Sequence, residues 1–177
     1  MKTKTILSVD PGTRYSGITV FKGKEIVVSM VKTFSTNGSP RQRLNEVKKV
    51  FSSLIEDYAP EVLVLEKPFP FWSKQSHLLN VVIEEIKSIA KKEKIEIQEF
   101  CPKSVKKIVC GSGNTNKKEM AVVICSIYPE LKIYLKQMTK SQEKYWNHMF
   151  DAVGLGVCYL KKQGKNKMVS HELLPSC

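Results

Sequence analysis

The chain has 177 residues, 42% hydrophobic and 26% charged, proportions that fit one globular domain and exclude a disordered segment. No apolar run approaches the roughly 18 residues of a membrane span, and the first five residues lead into a strand-like run without the apolar core of a signal peptide. The formal net charge of +12 points to a polyanion as partner, or to a solvated lysine surface.

Taken in chain order, Thr5 to Asp10 reads as a buried strand that Pro11-Gly12 breaks. Tyr15 to Phe21 and Glu25 to Phe34 read as two more strands, turning at Lys22-Gly23-Lys24. Pro40 to Tyr58 carries Leu44, Val47, Val50, Phe51, Leu54 and Ile55 at helical spacing. Val62 to Glu66 is an apolar strand closed by an acid and stopped by Pro68 and Pro70. The pattern then predicts a helix over Lys74 to Lys92 and a fifth strand over Ile95 to Phe100. Pro102 opens a helix that Gly111 and Gly113 end. Asn116 and Glu119 form the sequence of a reciprocal N-cap for a helix through Ile127. A last helix runs from about Lys144 to Lys162. The expected fold is α/β: a mixed five-stranded sheet flanked by helices. Residues 1–163 are expected to form the domain and 164–177 a flexible tail.

The charge is concentrated. From Cys101 to Ser170 there are 13 lysines against Glu119, Glu130, Glu143 and Asp151, leaving +9, and the whole chain has arginine only at positions 14, 41 and 43. Lysine attracts phosphate as a point charge and lacks the fork that reads bases in two contacts. Five cysteines, an odd number without a C-x-x-C pair, argue against a disulfide framework or a zinc ribbon and suit the reducing cytoplasm.

Two acids close predicted strands, Asp10 and Glu66, and His148 and Asp151 stand three apart on the last helix, hence on one face. Brought together, three carboxylates and an imidazole suit Mg²⁺ or Mn²⁺. Two such ions about 4 Å apart activate water and stabilise the leaving oxygen of a phosphodiester. Spacing does not bring the four together by itself. Asp10 or Glu66 alone also reads as a turn or cap residue, and His148 alone as a packed or surface histidine.

The run Ile6-Leu7-Ser8-Val9-Asp10-Pro11-Gly12-Thr13-Arg14-Tyr15-Ser16-Gly17 resembles the opening of the RuvC family of Holliday-junction resolvases. The resemblance continues in Val64-Leu65-Glu66-Lys67-Pro68-Phe69, in Val105 to Gly113 with Lys117-Lys118, and in His148-Met149-Phe150-Asp151-Ala152-Val153-Gly154. It implies an RNase H-like fold, a homodimer, two Mg²⁺ ions per site (Mn²⁺ can substitute) and paired nicks across a four-way DNA junction. It also implies that Asp10, Glu66 and Asp151 are catalytic metal ligands. His148 falls where many members carry aspartate and others histidine, so a ligand is kept there. DNA contacts are implied for Lys106 with its neighbour Lys107, and for one of Lys117 and Lys118. Phe69, which opens the cluster Phe69-Pro70-Phe71-Trp72, matches an aromatic that stacks on bases at the junction centre.

Other readings stay open at this point. The same site suits a flap or branched-DNA nuclease of a mobile element. Val9-Asp10-Pro11-Gly12-Thr13 also suits an actin-like ATPase, although such proteins need two related domains, and an inactive DNA-binding module would share the basic surface. The loop Gly111 to Asn116 reads either as a phosphate cradle or as a helix connection. The surplus of apolar residues on Lys74–Lys92 reads either as a dimer face or as a core face. A branch-migration complex is a further possible partner, and no membrane association is expected.

Overall fold

The computed structural model describes residues 3–35, 37–67, 74–136, 139 and 142–172, with the side chains of 74–76 and 165–172 left out. Five strands form one sheet: β1 (Thr5–Asp10), β2 (Tyr15–Lys22), β3 (Glu25–Thr33), β4 (Val62–Glu66) and β5 (Glu96–Phe100). Their order is β3-β2-β1-β4-β5, with β1, β2 and β3 antiparallel neighbours and β1, β4 and β5 parallel. This is the mixed sheet expected from the sequence.

Three helices lie at the positions where periodicity put them: α1 (Pro40–Tyr58), α2 (Lys74–Lys92) and α3 (Pro102–Cys110). A fourth, α4 (Lys117–Ile127), begins at the expected capping box, where Glu119 N–H donates to the Asn116 side chain and Asn116 N–H to the Glu119 carboxylate. Next come a 3-10 turn at Pro129–Leu131 and the short α5 (Lys132–Lys136), elements too brief to announce themselves by periodicity. The last helix, α6, spans Glu143–Glu172. It runs ten residues past the predicted end at Lys162. Only Gly164 opposes helix there, and a single glycine costs about 1 kcal/mol in a helix interior.

Strand alternation sorts the side chains into two cores. Leu7, Val9, Leu63 and Leu65 pack with Val47, Phe51, Leu54, Val82, Ile86 and Ile89 of α1 and α2. Ile6, Val62 and Val64 pack with α3, α4 and α6. The helix α2 therefore spends Val82, Ile83, Ile86 and Ile89 on the interior, leaving Leu78 and Leu79 half-buried and Val81 exposed. Among the described residues no helix is long and apolar enough to cross a membrane.

Candidate active site

The same alternation decides where the acids stand. Asp10 is in phase with Ile6 on β1 and Glu66 with Val62 and Val64 on β4, so both fall on the α6 side of the sheet. Because β1 and β4 are parallel neighbours, with Val9 paired to Leu65, the two acids also leave the sheet at the same edge. The chain after Asp10 is held in place by Ser16, whose hydroxyl accepts from Gly12 N–H at 3.1 Å and lies within 3.3 Å of the Gly12 carbonyl.

Close docking of α6 brings the other two residues. Gly17, paired with Asp10 across β1 and β2, lies beneath the helix, and a Cβ there would sit 1.7 Å from the carbonyl oxygen of His148. Two turns on, a Cβ at Gly156 would lie 2.1 Å from the Phe21 ring. Only hydrogen at these two positions lets α6 lie flat on the sheet. His148 and Asp151 then face the strand acids.

His148 Nδ1 lies 2.6 Å from Asp10 Oδ2. A carboxylate can only accept, so Nδ1 carries the hydrogen of this contact. On the other side Lys117 Nζ donates to Asp151 Oδ2 at 2.6 Å. Burial pushes the Glu66 carboxyl up to about 7, with the charges of Asp10 and Asp151 adding to the rise and Lys117 and Lys106 opposing it. Asp151 is raised by the same pair of causes, burial first and then Asp10. Burial works against the Lys117 ammonium, yet Asp151, Asp10 and Glu66 together hold its pKa above the usual value. A cavity of about 30 Å³ lies between Glu66, Lys106 and Asp151, walled by Pro102, Val105, Met120 and Leu155. It has room for a water or an ion, not for a base.

By donor chemistry these residues suit a divalent cation. Three hard oxygen donors and one imidazole are ligands of hard divalent ions, and burial first, then the mutual charge of the acids, raises Glu66 and Asp151. Among the described residues no three His, Cys, Asp or Glu side chains are placed, as they stand, to hold a metal ion together. Asp10 is instead engaged by His148, and Asp151 by Lys117.

Residues 6–159 match the model of the family described as crossover junction endodeoxyribonuclease RuvC. The chain belongs to this family. The RuvC of Cytophaga hutchinsonii is 28% identical over 170 residues, which cover 93% of this chain and 80% of that one. The RuvC of Pelodictyon phaeoclathratiforme is 25% identical over 167 residues, covering 92% and 82%. Thermus thermophilus RuvC, solved in complex with a Holliday junction substrate, superimposes with a TM-score of 0.72 at 14% identity, over 92% of this chain and 96% of that one. At that identity the likeness establishes a shared fold, the RNase H-like fold of RuvC.

Of the residues that the RuvC resemblance singles out, Asp10, Glu66, His148 and Asp151 come together, with Lys106 and Lys117 beside them. Lys107 is exposed in the last turn of α3. Lys118 faces a separate shallow groove with Asn116, Glu119, Val122 and Val123, so Lys117 is the lysine of the pair that stands at the carboxylates. Phe69 and the cluster Phe69-Pro70-Phe71-Trp72 lie outside the described residues.

The loop from Gly111 to Asn116 uses much of its hydrogen-bonding capacity internally. Asn114 N–H and Asn116 N–H go to Ser112 and Glu119, and the Thr115 hydroxyl goes to the Ser112 carbonyl. The structure favours the helix connection over the phosphate cradle. An aromatic brace escaped the sequence reading. The Tyr15 ring lies 6.1 Å from that of His148 and edge-on to Tyr145 at 5.5 Å, while the Tyr145 hydroxyl donates to the Val31 carbonyl. Tyr145-Trp146, one residue short of the site histidine His148, was the available signal.

Proposed function

We propose that this protein is a metal-dependent endonuclease that resolves four-way DNA junctions, with Asp10, Glu66, His148 and Asp151 as its catalytic and metal-binding residues. The observation that carries the reading is the convergence of these four donors on one sheet edge, flanked by Lys106 and Lys117, in a chain of the RuvC family. The junction as substrate rests on the relatives' name and on the T. thermophilus complex.

When bound, divalent ions held by the three carboxylates and His148 Nε2 supply a Lewis acid and an activated water for phosphodiester hydrolysis. The chain's own residues do the rest. The Asp10 carboxylate, accepting from Nδ1–H, fixes the orientation of the His148 ring. Lys106, beside Glu66, is placed to hold a phosphate of the incoming strand. Lys107 and Lys118 add attraction at longer range, and Phe69 stacks on bases opened at the junction centre. Mg²⁺ is the expected ion, with Mn²⁺ able to replace it.

A two-fold junction needs two sites, so the working species is a homodimer. The partly exposed Leu78, Leu79 and Val81 of α2 supply its apolar contact. Residues 1–163 serve as the nuclease domain, 164–177 as an appended tail, and the protein works in the cytoplasm. One gel tests the reading: a synthetic four-way junction, a flap and a duplex are incubated with protein and Mg²⁺. Paired symmetric nicks in the junction alone support it, whereas cutting restricted to flaps overturns it in favour of a branched-DNA nuclease. Sedimentation at micromolar concentration checks the dimer.

A further inference from the structure

We propose that the Lys117 ammonium is an internal counter-cation of the carboxylate site, occupying it when no metal is present and displaced towards the DNA when metal binds. This rests on the reading of Asp10, Glu66, His148 and Asp151 as a metal centre and adds a regulatory step to it. Lys117 Nζ donates to Asp151 Oδ2 at 2.6 Å and is drawn by Asp10 and Glu66 as well. Its contact is with Asp151, and the charges of Asp10 and Glu66 act on it from further off.

The position is a costly one for a cation. Lys117 is the first residue of α4, at the positive end of the helix dipole, where acidic residues are favoured and basic ones are not. Lys118 follows it, so two positive charges share the same turn. Three carboxylates offset that disadvantage for Lys117. Lys118, turned towards Glu119 and the outer groove, has no such company.

Half of the Lys117 side chain is exposed, whereas that of Asp151 is 15% exposed. The lysine can therefore swing outward while the acid stays. A divalent ion and an ammonium cannot share Asp151 Oδ2 without strong repulsion, so loading releases the ammonium. Once released it sits on the rim of the same site, where a DNA phosphate would pass. Metal and DNA then favour one another through one side chain, and by linkage the coupling acts in both directions.

The test measures Mn²⁺ binding to the DNA-free protein by electron paramagnetic resonance, and thermal unfolding with EDTA or Mn²⁺. Lys117→Met should tighten Mn²⁺ binding about tenfold, the size expected for releasing one partly exposed ion pair and its charge. It should also lower the melting temperature in EDTA and show a larger Mn²⁺-induced rise than the wild type. Lys117→Gln serves as a second variant should Lys117→Met fold poorly. Lys106→Met, which removes a nearby charge that makes no contact with Asp151, should change Mn²⁺ affinity less than threefold. Equal effects of Lys117→Met and Lys106→Met, or none from either, overturn the proposal while leaving the metal centre intact. If the wild type binds no Mn²⁺, or Asp151→Asn and Glu66→Gln bind it as well as the wild type does, the metal-centre reading itself falls.

Discussion

Gly17 of β2 and the backbone of His148 on α6 are in direct contact, with 1.7 Å between the His148 carbonyl oxygen and the point where a Gly17 Cβ would stand. Gly17 is also the cross-strand partner of Asp10. One glycine thus sets both how closely α6 approaches and how near His148 comes to the strand acid. Adding a methyl group forces the helix outward, because the obstructing atoms are backbone and have no rotamer to escape into.

Gly17→Ala should therefore destabilise the protein by about 3 kcal/mol, the upper end for overpacking a close contact. Cleavage should fall further than stability alone explains, since His148 moves away from Asp10. Gly164→Ala is the opposite case on the same helix as His148. Nothing lies within 4 Å of a Cβ there, so helix propensity alone should stabilise by about 1 kcal/mol. Chemical denaturation of the two variants checks both signs.

Asp10→Asn, Glu66→Gln and Asp151→Asn should each reduce Mg²⁺-dependent cleavage more than about 100-fold, because losing even a group that only hydrogen-bonds a metal ligand costs about 10- to 100-fold. Junction affinity should stay level or rise, since removing an anion beside phosphate lessens repulsion. Gel shifts in Ca²⁺ and cleavage in Mg²⁺ separate the two effects. Wild-type cleavage by any of the three would show that the acid is not a ligand.

The acids' own titration gives a prediction with a definite sign. Glu66 rises from 4.5 to about 7 on folding, through burial first and then Asp10 and Asp151. The folded state thus binds more protons than the unfolded state between those values, and stability must fall as pH rises through that window. At 1.36 kcal/mol per unit the upper bound is about 3 kcal/mol, reduced by whatever solvent reaches the carboxylate. In EDTA, urea denaturation at pH 5.0 and 7.5 should show the wild type losing more stability than Glu66→Gln. Because the ion needs the ionised form, Mg²⁺ should bind better as pH rises through 7.

How much of this was readable in the sequence varies with the range of the interaction. Val62-Leu63-Val64-Leu65 declared a strand closed by Glu66, but a run apolar at every position does not say which face the acid takes; the two cores of the structure do. Asn116 with Glu119 is a local cap that a short spacing revealed, whereas the equally local cap of Ser39 with Gln42 was first seen in the structure. The contact between Gly17 and His148 spans more than a hundred residues, and no local pattern encodes how closely a helix lies on a sheet. Family motifs supplied that convergence. Lys117 and Lys118 differ in helix phase by one residue, about 100° of rotation, so only the placed helix shows which one faces Asp151. Pro129 to Lys136 is too short for periodicity, and its aromatic contact between Tyr134 and Trp146 is tertiary.

The basic residues of α3 should divide by depth. Lys106 is half-buried beside Glu66 and helps hold that carboxyl down, whereas its neighbour Lys107 stands in solvent. Lys107→Met should act on attraction alone: DNA affinity weakens alike for junction and duplex, the salt slope drops by about one, and the rate at saturating junction is unchanged. Lys106→Met should also lower the salt slope, but its larger effect should be on the chemical step. With that charge gone the Glu66 carboxyl rises further above 7, so the acid limb of the cleavage profile should move to higher pH. Single-turnover cleavage from pH 6 to 9 with saturating enzyme reads that limb without interference from binding. A limb that moves in Lys106→Met and stays in Lys107→Met places Lys106 at the site and Lys107 on the approach to it, and equal behaviour of the two would leave both as surface charge.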